Sequence, residues 1–533
     1  MALRAMKSAY FTIGLLALGA CKDEKETQLP IVGTAGGQAQ GASVAAAGGG
    51  GASNAGVPGL MPVAGSSTST PLTSLDAGPQ ITAVSSPNDA GAADAGGAID
   101  AGTAPQAAAD AGAVQEPAKP GAPAPVPSGG KPWLEPAPRA KCAEGDNPDQ
   151  KVSGLNGNFN CNLKVAGKVA APHFLSHAWY KDCAYVNAAD GTAVIKVPEN
   201  GEPKVMTTLT AAGFRSNWET MKVNEKRGLL AGFESNGAQL SVYDVSKDCA
   251  APVLQGTLNL GLGAGGHAGN WSPDGTIYYA SSSFAMAIHA VDMTDPKAPK
   301  VITSNFDRHT HDLYVDKEGN RGFFSVSYQT SGSLAIMDLS EIQARKPNAR
   351  GRLIKELMWP DGSWSQYSTP VTYGGKEYLM FSDELGSGAC GERQPHWGYG
   401  RIFDIQDIMN PKLVSLIKTE AQDSANCASV GSTLGFGSGT HYCNVDRLED
   451  PRLFVCGEWA AGVRVYDVRD PYKPREVAYF DRADANVPGL VRVLPEQRKL
   501  WVATTAIDTL GGPGTFYVLE FPEGTEPAQI LEN

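Results

Sequence analysis

Histidine is the residue type in this 533-residue chain best suited to chemistry, and its eight copies are not scattered. His177, His267, the pair His309 and His311, and His441 each stand about ten residues ahead of a short apolar run. The runs are Ala184-Tyr185-Val186, Ile277-Tyr278-Tyr279-Ala280, Phe323-Phe324-Ser325 and Leu453-Phe454-Val455. A neutral imidazole is a good ligand for copper or iron. If each run is the second strand of a repeated β unit, each histidine opens the innermost strand of its unit. Four units then bring His177, His267, His311 and His441 to one axis. In the corresponding stretches of three further units stand Asn217-Trp218-Glu219, Gln366-Tyr367-Ser368 and Pro488-Gly489-Leu490, so Glu219 adds a carboxylate nearby. Two readings stand side by side: a copper or iron site on these imidazoles, or histidines that hydrogen-bond the next unit and fill the axis. Convergence depends on strand phase, because a slip of one residue turns a side chain to the other face.

The elements that would position these groups are repeats. Second-strand runs continue with Leu229-Leu230-Ala231, Tyr378-Leu379-Met380 and Leu500-Trp501-Val502-Ala503, giving seven. A following column also has seven members, among them Leu240-Ser241-Val242-Tyr243-Asp244, Leu334-Ala335-Ile336-Met337-Asp338 and Val463-Arg464-Val465-Tyr466-Asp467. Seven repeats, each long enough for four strands, predict an all-β, seven-bladed propeller. The aspartate closing each copy reads as scaffold, its carboxylate accepting a backbone N–H two residues on. In Asp470-Pro471-Tyr472-Lys473-Pro474 the two prolines block helix and aim the outer strand.

These repeats resemble the LVIVD-repeat family of bacterial propellers, whose consensus is an apolar run followed by Asp-Val-Ser-Asp-Pro and a second proline. The resemblance covers roughly residues 165–522 and is clearest in the third and sixth repeats; Lys196 and Glu520 replace the aspartate in the outermost two. Repeats of that family often carry His-Asp where this chain has His311-Asp312, which agrees with the structural reading of the histidines.

The N-terminus predicts a different environment. Arg4 and Lys7 precede an apolar run from Phe11 to Ala20, too short to span a membrane. The run ends in Leu18-Gly19-Ala20-Cys21, which resembles a bacterial lipobox. The resemblance implies a lipoprotein signal peptide over residues 1–20 and a mature protein beginning at a lipidated Cys21, anchored to the membrane. No aspartate follows Cys21 directly, which favours an outer-membrane address. Residues 21–138 carry that cysteine and a low-complexity linker: Lys and Arg are absent between Lys25 and Lys119, and Asp-Ala-Gly recurs. Such a segment buries too little apolar surface to offset its ordering entropy. Residues 139–533 are the propeller domain.

Removing Cys21 from nine cysteines leaves an even eight, read as disulfides in an exported chain. Cys443 and Cys456 flank a turn and pair best; Cys390–Cys427 is the next expectation. Two long segments, Gly386–Gly400 and Ala421–Gly439, interrupt the repeats. The first predicts a binding loop with Glu392, Arg393, His396, Trp397 and Tyr399, since loops on a rigid frame usually carry recognition. A net charge of −12 excludes nucleic acid as a partner. No Gly-x-Ser-x-Gly elbow or dinucleotide fingerprint is present. The sequence therefore predicts an outer-membrane lipoprotein whose propeller binds or scaffolds an envelope protein or extracellular ligand. The alternative is a copper- or iron-dependent enzyme such as an oxidase, acting at the histidine-lined mouth.

Overall fold

The computed structural model describes residues 129–532, apart from 150–157, 173–174, 176, 189, 216, 236, 262–264, 283–286, 306–307, 329–330, 386–397, 424–425, 427–438, 460, 483–486 and 506–512. The expected signal peptide, Cys21 and nearly all of the linker lie outside the described residues.

The strands fall into seven antiparallel sheets, each built mainly from consecutive strands, which is the connectivity of propeller blades. Blade 1 runs His177–Tyr180, Cys183–Ala188, Gly191–Lys196 and Lys204–Leu209 from the axis outward. The inner strands of blades 2 to 6 are Lys222–Asn224, Ala268–Trp271, Thr310–Val315, Ser363–Tyr373 and Thr440–Val445. Blade 7 has a broken inner edge, Val487–Pro488 and Arg492–Leu494, followed by Lys499–Thr505 and Gly514–Glu520. Its outer strand comes from the other end of the domain: Lys164–Ala170 pairs with Gly514–Glu520 in the register Lys164↔Glu520. That exchange closes the ring and protects a sheet edge. Just upstream, Asn158–Cys161 adds a fifth strand outside Arg475–Arg482 of blade 6.

Both predicted strand columns are present as the second and third strands of the blades. They bury because their apolar residues meet the neighbouring blade: Tyr279 and Ile288 of blade 3, for example, pack with Leu313, Val315 and Phe324 of blade 4. The closing aspartates do what their position suggests. Asp244, Asp292, Asp338, Asp404 and Asp467 each accept the backbone N–H two residues on, at 2.8, 2.9, 2.9, 3.0 and 3.1 Å. In blade 6 the third strand opens at Gly462 with φ +73°, where a Cβ would run into the Phe480 carbonyl. Only glycine suits that start.

Three disulfides are present among the described residues. Cys443–Cys456 joins directly opposed residues of blade 6, as the turn between them predicts. Cys142–Cys161 and Cys183–Cys249 are two pairings that spacing alone did not suggest. Cys390 and Cys427 lie outside the described residues.

Candidate metal centre in the propeller channel

Glu219 is the hub of the channel. It precedes the inner strand of blade 2, and its N–H donates to the His267 carbonyl at 2.9 Å, which fixes it beside blade 3. One carboxylate oxygen, Oε2, stands 3.3 Å from Nε2 of His267 and 3.3 Å from Nε2 of His311. The other, Oε1, lies 2.7 Å from Nε2 of His441 and accepts from the Gln366 amide at 3.3 Å. Tyr442 approaches Oε2 at 3.2 Å. Glu219 and the three histidines are each 5% exposed or less, so blades 2, 3, 4 and 6 place a carboxylate and three imidazoles in one buried compartment.

The two kinds of contact differ in meaning. At 2.7 Å, His441 and Glu219 form a closed charge-assisted hydrogen bond. The 3.3 Å spacings to His267 and His311 are looser. Ligand atoms bound at about 2.1 Å to one metal are separated by about 3.0 Å across an octahedral edge and about 3.4 Å across a tetrahedral one. The two 3.3 Å spacings from Glu219 to His267 and His311 fall inside that range, and the three ligand atoms lie within 4.8 Å of one another. Two histidines and one carboxylate are the set typical of non-haem iron(II), with coordination positions left open.

Protonation suits this division. Burial opposes a charge on Glu219, but the surrounding histidines outweigh it and hold its carboxyl well below the usual range. Burial would also lower His441; its bond to Glu219 prevails and raises it, favouring the imidazolium. Burial and the neighbouring His267 hold His311 well below its ordinary value, favouring the neutral imidazole. Metal-binding residues are commonly oriented by such outer partners. His441 would fill that place, with its Nε2 on Glu219 and its Nδ1 3.0 Å from the Pro488 carbonyl of blade 7.

Local irregularity brings in side chains that alternation would hide. In blade 4 the three steps from Thr310 to Leu313 face only two, Val326 to Phe324. In blade 6 the steps from Thr440 to Cys443 likewise face Glu458 to Cys456, and blade 5 shifts between Ser365 and Tyr367. A bulge inserts one residue and re-aims its neighbours. Consequently both His311 and Asp312, and both His441 and Tyr442, reach the channel: Tyr442 OH lies 3.1 Å from Asp312 Oδ2. Lys222 joins them, 3.5 Å from Asp312 and above the rings of Tyr367 and Tyr442. Sequence reasoning missed Lys222, Asp312 and Tyr442; a bulge gives no signal in a period-2 pattern.

His177, the fourth expected imidazole, stands apart. Its Nδ1 faces the Leu490 carbonyl of blade 7 at 3.0 Å, and its ring meets Trp179 and Phe516. His177 and His441 thus each hold blade 7 from one side, the cross-blade role that the structural reading assigns to them. His289 packs within blade 3, its Nδ1 2.8 Å from Ser304 Oγ. Of the expected binding loop, Glu392, Arg393, His396 and Trp397 lie outside the described residues. Tyr399 is buried, and its hydroxyl donates to the Gln422 carbonyl at 3.2 Å.

Glu384 borders the centre. The indole of Trp459, whose ring lies 4.6 Å from that of His441, is a further neighbour that favours its charged form. Burial pushes Glu384 up from 4.5 to about 8, against the opposing pull of the His441 charge. A raised folded-state value means that its contribution to stability is complete below about 4.5 and is lost as pH rises through about 8. E384Q removes that titration. Denaturant unfolding at pH 5 and pH 9 is expected to show E384Q gaining on the native chain at the higher pH. Equal pH dependence of the two chains would contradict this.

No family model matches the chain, and no curated protein does. Among solved structures it is similar to the Kuenenia stuttgartiensis hydrazine synthase, with 13% identity and TM-score 0.48 over 64% of this chain and 95% of that one. It is also similar to the Myceliophteria thermophila Cps50 β-propeller domain, with 12% identity and TM-score 0.47 over 68% and 100%. A third likeness is to the WD40 domain of Toxoplasma gondii coronin, with 12% identity and TM-score 0.46 over 68% and 88%. At such identities and scores these likenesses say nothing of activity; the seven four- and five-stranded sheets carry the fold. The chain is a seven-bladed β-propeller.

Proposed function

We propose that this protein is a lipid-anchored envelope protein whose propeller channel holds one divalent first-row transition metal, iron(II) by preference, on His267, His311 and Glu219. The observation that carries the reading is the pair of 3.3 Å spacings from two imidazoles to one buried carboxylate oxygen. Glu219 supplies negative charge, His311 a neutral nitrogen, and His441 fixes the second carboxylate oxygen from outside. A metal so held keeps positions for a small ligand, which is the support for an oxidase-type activity. The direct test is titration of the purified chain with Co(II), a spectroscopic substitute for Fe(II). One equivalent is expected to bind with a saturating visible absorption; absence of saturable uptake would overturn the assignment.

The anchor rests on the lipobox-like Leu18-Gly19-Ala20-Cys21 and the long linker after it. Cys21→Ser is expected to move the protein from the membrane fraction to the soluble one, read by fractionation. A variant still sedimenting with membranes would contradict the anchor.

A further inference from the structure

Residues 131–142 form an arm along the outer rim of the ring. Trp133 bridges Ser415 in Lys412–Ile417, the outer strand of blade 5. The N–H groups of Leu416 and Glu476 donate to the Trp133 and Pro138 carbonyls at 2.8 and 2.9 Å. The arm thus crosses from the edge of blade 5 to that of blade 6. Of residues 131–142 only Ala137 is buried, so little apolar surface holds the arm down. Its ion pair, Arg139 with Glu420, is exposed on both sides and contributes little. The firm attachment is covalent, through Cys142–Cys161.

Access separates this disulfide from the other two. Cys183, Cys249, Cys443 and Cys456 are each 5% exposed or less, and Cys161 is fully buried, whereas Cys142 is partly exposed. Exchange requires a thiolate to reach one sulfur of the bond, and Cys142 offers that approach. The ring does not depend on the bond. Asn158–Cys161 keeps its own pairing with blade 6, from Asn158↔Arg482 to Cys161↔Tyr479, and Lys164–Ala170 closes blade 7. What an open bond releases is the arm, which uncovers the edge groups of blades 5 and 6. Such an edge is a template for pairing with another chain.

We propose that Cys142–Cys161 is a redox latch, whose reduction by a dithiol frees the arm and leaves the propeller closed. The dithiol supplies two electrons and two protons: the Cys142–Cys161 bond breaks, both cysteines become thiols, and the reductant closes to its own disulfide. The proposal goes beyond the metal reading and stands without it. It is tested by graded reduction of the purified full chain with dithiothreitol, trapping with N-ethylmaleimide and peptide mass spectrometry. Cys142–Cys161 is expected to open at least about tenfold faster than Cys183–Cys249 and Cys443–Cys456. Hydrogen exchange at that stage is expected to quicken at Leu416 and Glu476, while the inner strands of the blades keep their protection. The double variant C142S/C161S, with no reductant, is expected to show the same fast exchange at these two amides. Opening no sooner than the other two disulfides would overturn the proposal. So would an opened bond, or a folded double variant, that leaves Leu416 and Glu476 protected.

Discussion

E219Q is expected to weaken Co(II) or Fe(II) binding at least roughly a hundredfold while leaving the propeller folded. Loss of an outer partner of a metal ligand typically costs about 10–100-fold, and loss of a charged ligand is expected to cost no less than the upper end. Glutamine keeps the size of the side chain and its contact with Gln366, and removes the anion that both 3.3 Å spacings converge on. His441→Gln provides the contrast. It removes only the partner of the second oxygen, so its cost is expected to be about 10–100-fold and smaller than that of E219Q. The measurement is equilibrium titration against a competing chelator, with circular dichroism to confirm the fold. Similar losses in E219Q and H441Q would place His441 among the ligands; an unchanged affinity in E219Q would remove Glu219 from the site.

The second large effect is expected in the frame. Arg401, 1% exposed, lies in the third strand of blade 5 with its Nε 2.6 Å from Asp383 Oδ2 and a further contact to Asp361 at 3.1 Å. Trp359 of blade 4 donates to the same Asp383 oxygen at 2.8 Å, and Ser365 to the other at 3.1 Å. The group thus ties blade 4 to blade 5, one residue from Gln366 in the channel. Burial pushes Asp383 up to about 6, with Arg401 the main opposing influence. Arg401→Met leaves that carboxylate without its cation and is expected to cost about 3–5 kcal/mol in denaturant unfolding. Adding Asp383→Asn removes the stranded charge and keeps an acceptor for Trp359, so the double variant is expected to recover much of the loss. A single variant within about 0.5 kcal/mol of the native chain would show that the pair contributes no net stability.

Much of this molecule was legible in its sequence, for identifiable reasons. Blade number follows from seven copies of an apolar run ended by aspartate, because each copy must bury the same faces against its neighbours. Asp467 was readable as a turn residue because its carboxylate has a backbone N–H in reach two residues on. The convergence of His267, His311 and His441 near Glu219 followed from strand phase alone. The division of labour did not. His177 opens an inner strand like the others, yet the Leu490 carbonyl of the broken blade 7 claims its Nδ1. Asp312 and Tyr442 are invisible to a period of two because bulges at Thr310–Leu313 and Thr440–Cys443 turn adjacent side chains the same way. Arg401 sat within an ordinary repeat copy, its partners Asp383 and Trp359 about 20 and 40 residues away.

The central claim, that Glu219 and two histidines hold a metal, is tested most directly by anomalous diffraction from crystals of the purified protein loaded with Fe(II) or Co(II). The account predicts one peak at about 2.0–2.3 Å from Nε2 of His267, Nε2 of His311 and a carboxylate oxygen of Glu219. Density free of any anomalous peak between these three groups, under conditions that load metal elsewhere, would contradict it.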